Sequence, residues 1–388
     1  MPDRPPPPLA PPRDRAWVEV RTAALRHNLG SIGESVGPDV RLVPMVKADG
    51  YGLGVERVVE ALRPARPFGW GVATIEEGLE LRRLGLQAPL MICAPVPPDD
   101  LPRVVDAALI PSISDPDSLA ALRDLARRAR PPAATPIPFQ LEVDTGMGRA
   151  GFPPDRAAEA LARLAAAAPA TPHGLRLFGI FTHLHSADQP DLASARDQIA
   201  RFDHFISGLR RAGTFPADAL VHCANSAGAL RLASRTANAA RPGIYLYGAS
   251  AGDPDRRPEP VVAVRARVLL VRDVPPGTTL GYGATYTAHG HERWAAVGIG
   301  YGDGLPRALG NRGSAILRGR RVPIVGRISM DTTVVRTDND TPNPGDIVTF
   351  VGRDGGIELP LEEVAELAGT IPYEVLTGLS RRLPRVSV

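Results

Sequence analysis

The sequence predicts an α/β protein: a TIM-type (β/α)8 barrel followed by a β-rich C-terminal domain. Three observations carry that expectation. Short apolar runs alternate with amphipathic stretches from about residue 38 to 250, and eight such βα-like units can be traced. Eight parallel strands are the number that closes a barrel. After about residue 255 the texture changes to short strands separated by Gly, Pro, Asn and Asp turns. A chain of 388 residues also exceeds one ordinary core. The expected division is a proline-rich disordered tail over 1–15, a barrel over 16–255 and a β-rich domain over 256–388, with a polar linker at Gly252–Pro258.

In chain order, Ala16–Val20 reads as a strand and Arg21–Ile32 as the helix that precedes the first barrel unit. The barrel strands are expected within Val40–Ala48, Phe68–Thr74, Pro89–Ala94, Leu109–Ser114, Ile137–Asp144, Leu175–His183, Ala219–Cys223 and Ala239–Ile244. Their near-continuous apolar character fits strands buried on both faces. Ile75–Leu84, Ser118–Arg128, Asp155–Ala166 and Ala195–Arg211 carry apolar residues at helical spacing. In the second domain Val261–Val271, Trp294–Ile299, Ser314–Leu317, Val322–Ile324, Thr332–Arg336 and Ile347–Val351 read as strands, and Leu361–Leu367 as a helix.

Composition narrows the function. Net charge is +3 and no basic run is interleaved with aromatics, which argues against a nucleic-acid partner. No apolar run approaches the roughly 20 residues of a membrane helix. The two cysteines, Cys93 and Cys223, form no disulfide pattern, and the N-terminal tail lacks an apolar signal core, so a cytoplasmic setting is expected. No metal site is assigned.

Polar residues gather where the strands end. Lys47 closes an apolar run and is followed by Ala48-Asp49-Gly50-Tyr51-Gly52-Leu53-Gly54. A strand delivering an amine to its C-terminal tip, followed by a loop that needs positive φ, presents a nucleophilic lysine. Asp144–Arg149 follows the fifth strand, Thr182-His183 closes the sixth, His222–Ser226 closes the seventh and Arg241–Ile244 ends the eighth. Active sites of such barrels form at this pole.

These five clusters, in this order, resemble the motifs of the alanine racemase family. So do Gly281–Tyr286, Ile299–Gly304 and Val325–Asp331 in the second domain, and the resemblance runs from about residue 16 to 386. It implies pyridoxal 5'-phosphate as cofactor, alanine as the small-molecule substrate and a head-to-tail homodimer. Racemisation needs an electron sink, which the cofactor supplies, and a base on each face of the planar carbanion. By resemblance, Lys47 is the Schiff-base residue and the base for the D-enantiomer. Tyr282 of the partner subunit is the base for the L-enantiomer. A tyrosine with a pKa of about 10 needs help at neutral pH; Arg149 and His183 are placed to give it, with His183 contacting Tyr282. Arg149 also meets the substrate carboxylate, near the backbone of Met330. Arg241 faces the pyridine nitrogen. As a group that can only donate, it leaves that nitrogen unprotonated, which fits a racemase better than a transaminase. His222 orients Arg241. Phosphate contacts fall to Ser226, Gly243 and Ile244, helped by Tyr51, with Asn225 in the same cofactor-binding stretch. Tyr301, Arg307 and Arg327 match residues of the family's access corridor, and Asp331 closes the last motif.

Two positions depart from the family pattern. Where many members carry a carbamylated lysine, this chain has Glu142, expected to pair with Arg149 unmodified. Where a tyrosine often fences the substrate, it has Arg381. A serine or broad-spectrum racemase on the same scaffold stays open. A decarboxylase of this architecture needs a second-domain cysteine, and none follows residue 255. A non-catalytic cofactor carrier would lack the Gly281–Tyr286 segment.

Overall fold

The computed structural model describes residues 13–128, 136–167, 174–213, 215–337 and 340–388. The expected tail lies almost wholly outside the described residues. Nineteen strands can be followed among the described residues. The first, β1 (Ala16–Val20), precedes the barrel. The barrel strands are β2 (Arg41–Leu42), β3 (Trp70–Val72), β4 (Leu90–Pro95), β5 (Ile110–Ile113), β6 (Ile137–Glu142), β7 (Leu175–Phe181), β8 (Leu220–Ala224) and β9 (Ala239–Ala240). Each overlaps its expected segment. They pair in parallel in the order β2-β9-β8-β7-β6-β5-β4-β3. The chain just past β2 closes the ring: Phe68 N–H donates to Leu42 O at 3.0 Å, Gly71 N–H to Pro44 O at 3.0 Å and Val46 N–H to Gly71 O at 2.9 Å. Closure removes both sheet edges.

One helix start next to the site is locally encoded. Ile75–Arg83 opens with a reciprocal cap: Thr74 Oγ1 accepts the Glu77 N–H while the Glu77 carboxylate accepts the Thr74 N–H. Glu76 and Glu77 in the first turn and Arg82 and Arg83 in the last complement the helix dipole.

The second sheet runs β18-β17-β14-β15-β16-β13-β10-β1-β19. Its strands are β10 (Val262–Val274), β13 (Glu292–Val297), β14 (Ser314–Leu317), β15 (Arg320–Val325), β16 (Thr333–Arg336), β17 (Ile347–Asp354), β18 (Ile357–Leu359) and β19 (Arg385–Ser387). A separate hairpin joins β11 (Thr279–Leu280) and β12 (Tyr286–Thr287). The thirteen-residue β10 pairs with β1, β13 and β17, and register shifts at Val264/Arg265 and Val268/Leu270 bend it between ladders.

One grouping from the sequence changes. Ala16–Val20 was placed with the barrel, yet it runs antiparallel to β10 and parallel to β19 in the second sheet. Its Trp17, Val18 and Val20 are fully buried there. A period-2 apolar pattern says that one face is buried, not which sheet buries it.

Asp303 anchors this N-terminal strand. It is fully buried, and its carboxylate accepts from Arg15 at 2.7 and 2.9 Å and from the Gly300 N–H at 3.0 Å, with Arg382 at 3.5 Å. Removing the charge strips Arg15 of its partner and leaves a desolvated amide in its place. Asp303→Asn is expected to cost about 2–3 kcal/mol, read as a lower urea midpoint with unchanged secondary structure.

Candidate active site

At the C-terminal pole of the barrel, Lys47, Tyr51, Arg149, His183, Asn225, Ser226, Arg241, Gly243 and Ile244 line one cavity. Met45, Cys93, Phe181 and Tyr373 complete its wall. Lys47 is also the only lysine in the chain; every other member of its 45 Lys and Arg is arginine.

The backbone after Lys47 is unusual. Ala48, Asp49, Gly50 and Tyr51 all sit in the left-handed region, with φ of 53°, 54°, 60° and 55°. For the three non-glycine residues this costs roughly 3–5 kcal/mol together. Three polar ties hold the turn. The Glu77 carboxylate accepts the Ala48 N–H at 2.7 Å, Asp49 Oδ1 accepts the Val55 N–H at 2.8 Å, and Arg385 donates twice to Gly52 O at 2.8 and 3.0 Å. Gly52 is left-handed as well (φ 83°) and lies against Leu376 O, so no Cβ could stand there. The C-terminal segment thereby buttresses the lysine turn.

Arg241 is buried at 4 % exposure. It donates to His222 Nδ1, to His222 O at 3.1 Å, to Thr182 O at 2.9 Å and to His183 Nδ1 at 3.3 Å. Burial pulls its pKa down, but a guanidinium stays protonated and can only donate. Its Nε–H has no partner among the described residues. Phe181 lies beneath: its ring stacks on His222 at 5.2 Å and faces the Arg241 guanidinium at 5.0 Å.

Both imidazoles accept through Nδ1, which puts their protons on Nε2. Burial, then Arg241, drives His222 well below its ordinary pKa. Burial, then Arg241, Arg149 and Lys47, holds His183 at about 3. His183 therefore offers a neutral N–H rather than a charge. His222 Nε2 is buried without a partner among the described residues.

Ser226 Oγ accepts the Gly243 N–H at 2.8 Å and the Tyr245 N–H at 3.4 Å. A Cβ on Gly243 would strike the Tyr51 hydroxyl. Tyr51 stacks on Tyr247 with centroids 4.3 Å apart, and Tyr247 is fixed by donating to Met45 O at 2.8 Å. Burial raises the Tyr51 pKa, so it faces the cavity as a neutral hydroxyl. Asn225 caps Ser226–Arg231 by accepting the Gly228 N–H at 2.9 Å, so its side chain is partly committed to the helix.

Glu142 departs from expectation. It is buried at 5 % exposure, but its partner is Ser114 Oγ at 2.6 Å; no Glu142–Arg149 pair forms among the described residues. Ser114, one strand over, supplies the short reach that Arg149 on its exposed loop does not.

Tyr282 is outside this cavity and 72 % exposed. Met330 (51 %) and Tyr301 (42 %) are exposed too, and the Tyr301 and Gly302 N–H groups bond Ser329 O and Met330 O at 3.0 and 2.9 Å. Arg327 packs its guanidinium on Gly283 beside Tyr282, and Asp331 pairs with Arg382 at 2.5 Å. Arg307 lies in the short turn Arg307–Leu309, apart from the cavity. The predicted residues thus fall into two groups on one chain: a barrel cavity and an exposed patch of the β-rich unit.

Comparison with known proteins agrees. The family model "Alanine racemase, N-terminal domain" matches residues 20–251, and "Alanine racemase, C-terminal domain" matches 261–387. The chain belongs to the alanine racemase family. An alanine racemase of Synechocystis is 36% identical over 97% of this chain and 100% of its own, and one of Symbiobacterium thermophilum 37% over 95% and 96%. Among solved structures, alanine racemase from Bacillus anthracis with bound L-Ala-P superposes with a TM-score of 0.86 at 31% identity, covering 98% of this chain and 96% of that one. The Bartonella henselae alanine racemase, described with covalently bound pyridoxal phosphate, gives 0.84 at 28%, covering 97% and 100%. The family and its relatives make this chain a pyridoxal-phosphate-dependent racemase. No helix among the described residues is long and apolar enough to cross a membrane.

The sequence reading missed Cys93, Phe181, Tyr373 and Ser114. Apolar or small residues in or next to a strand, as Cys93, Phe181 and Ser114 are, carry no signal of facing a cavity, and Tyr373 reaches it from the distant helix Pro372–Thr377. The single-lysine composition was available and points directly at Lys47.

The neutral histidines make stability pH-dependent. Unfolded, each imidazole has a pKa of about 6.5; folded, both sit lower. The stability they contribute is complete above pH 6.5 and is lost as pH falls, for His183 down to about 3. From His183 alone the loss at pH 5 is roughly 2 kcal/mol. Urea unfolding of wild type and His183→Asn at pH 7.5 and pH 5 checks this; the variant is expected to show the flatter dependence.

Proposed function

We propose that the chain interconverts L- and D-alanine, with Lys47 holding pyridoxal phosphate and Tyr282 of a second copy completing the site. The observation that carries this reading is the placement of the only lysine in a donor-lined cavity. The residues present fit such a cofactor. Lys47 supplies the one side-chain amine that can carry an aldehyde, the free Nε–H of Arg241 suits a ring nitrogen, and Ser226, Tyr51 and the backbone at Gly243 and Ile244 suit a phosphate. Gly243, with no room for a side chain, lets backbone approach closely. When bound, the cofactor supplies an electron sink for the carbanion left by α-proton removal.

The residues of this chain do the rest. Lys47 Nζ moves a proton on one face of the α-carbon and the Tyr282 hydroxyl on the other. Arg149 binds the substrate carboxylate. His183 presents a neutral Nε2–H to Tyr282 and, through Nδ1, helps seat Arg241. His222 holds Arg241 from the other side. Glu142, tied to Ser114, braces the neighbouring strand ends of the barrel. Met330 contributes backbone near the substrate carboxylate, and Tyr301, Arg327 and Asp331 shape the approach. In this division the barrel binds the cofactor and residues from about 256 onward carry the tyrosine.

Because Tyr282, Tyr301 and Met330 are solvent-exposed on a single chain, the reading includes a head-to-tail homodimer whose two sites each draw on both copies. A contiguous exposed patch of large apolar side chains marks an interface. The expected location is the cytoplasm, and the product suits supply of D-alanine for peptidoglycan.

Loss of optical rotation of L-alanine, with L-serine in parallel, tests the activity; turnover of alanine alone is expected. Lys47→Ala and Tyr282→Phe should each lower kcat by at least about 10³-fold. Mixing the two inactive variants after subunit exchange should restore about a quarter of wild-type activity, since one dimer site in a mixed pair receives both native residues. No recovery would sink the shared site.

A further inference from the structure

Glu77 takes part in no step above, yet it ties the Lys47 turn to the barrel. It is the third residue of helix Ile75–Arg83, just past β3. One carboxylate oxygen accepts the Ala48 N–H at 2.7 Å; the other accepts the Ala73 and Thr74 N–H groups at 2.8 and 3.3 Å. One side chain thereby fastens the residue after Lys47 to the tip of the neighbouring strand. The Ala48 N–H has no other acceptor among the described residues.

Ala48 begins the run of left-handed residues. Backbone held against its own preference persists only where surrounding contacts over-determine it. The bonds from Asp49 to the Val55 N–H and from Arg385 to Gly52 O secure the far end of the turn. Glu77 secures the end next to the lysine.

We infer that Glu77 is a positioning residue for Lys47: its carboxylate, spanning the ends of the first two barrel strands, sets the direction in which the Lys47 amine enters the cavity. The inference rests on the reading of Lys47 as the reacting amine. It assigns a second task to a residue that otherwise reads as an ordinary helix cap.

The two tasks can be separated. Glu77→Gln keeps the size but has one acceptor oxygen, and its NH2 must face an N–H donor on one side. Thr74→Ala removes the reciprocal half of the cap and leaves the bond to Ala48. Glu77→Gln is expected to lower kcat by at least about tenfold with KM for alanine within about twofold, and to speed amide hydrogen exchange across residues 47–53. Thr74→Ala should lower the melting temperature comparably, with wild-type kcat and exchange. With no other lysine present, acylation of the cofactor-free full chain by an amine reagent, mapped by peptide mass, reports the Lys47 amine directly; its rate should change in Glu77→Gln only. Should Glu77→Gln fail to fold, Glu77→Asp keeps the charge but falls one methylene short, and the same kcat loss is expected. Wild-type kcat and exchange in Glu77→Gln, or an equal kcat loss in Thr74→Ala, would overturn the role. Lys47→Ala that still racemises alanine would instead remove the reading of Lys47 itself.

Discussion

The active pole of the barrel is organised around one buried cation. Both terminal nitrogens of Arg241 are hydrogen-bonded without an ion pair: carbonyls and imidazoles accept from them, and no carboxylate lies within salt-bridge reach among the described residues. Desolvating a guanidinium costs several kcal/mol, and only good hydrogen bonds offset that. The partners are consequently specified. His222 and His183 must remain neutral to accept, Phe181 must present a flat face, and the Thr182 carbonyl must point inward. A neutral partner set also leaves the positive charge uncompensated, so the cavity favours anionic groups such as phosphate and carboxylate.

The second constraint is conformational. Glycines at positions 50, 52 and 54 announce a turn, and the sequence reading placed positive φ there. It could not show that Ala48, Asp49 and Tyr51 share the left-handed region, because intrinsic preference opposes it for each. Only tertiary contacts from Glu77 on the barrel and Arg385 near the C-terminus override that preference. This is why the lysine motif is legible as a motif while its geometry is not. The residues that enforce the geometry lie about 30 and well over 300 positions away and look like ordinary surface charges.

The same distinction runs through the fold. The barrel strands were readable because the buried ones lie within longer apolar runs, and helices because their periodicity is local. β1 was misgrouped because pairing partners are not local: Val18 and Val20 meet β10 nearly 250 residues downstream. β11, β12, β18 and β19, at two or three residues each, are too short to show a period. At the site, charged and aromatic residues at strand ends were legible. Glu142 was expected to pair with Arg149 but bonds Ser114, since a serine in the adjacent strand gives no sign of competing with an arginine.

The separation of the two residue groups follows from the chemistry of the pole itself. A cavity built from an arginine cation, neutral histidines and a hydroxyl raised above its usual pKa by burial is rich in donors and poor in bases. In the proposed reading the base for the opposite face is Tyr282 of a second copy. The β-rich unit carries Tyr282 exposed on a short strained segment, flanked by Gly281 and Gly283 at positive φ and backed by Arg327. Tyr282, Tyr301 and Met330 are all exposed on a single chain. Under the proposed head-to-tail pairing, Tyr282 would supply the second base at the other copy's cavity, so that the proposed site and the proposed dimer would assemble together.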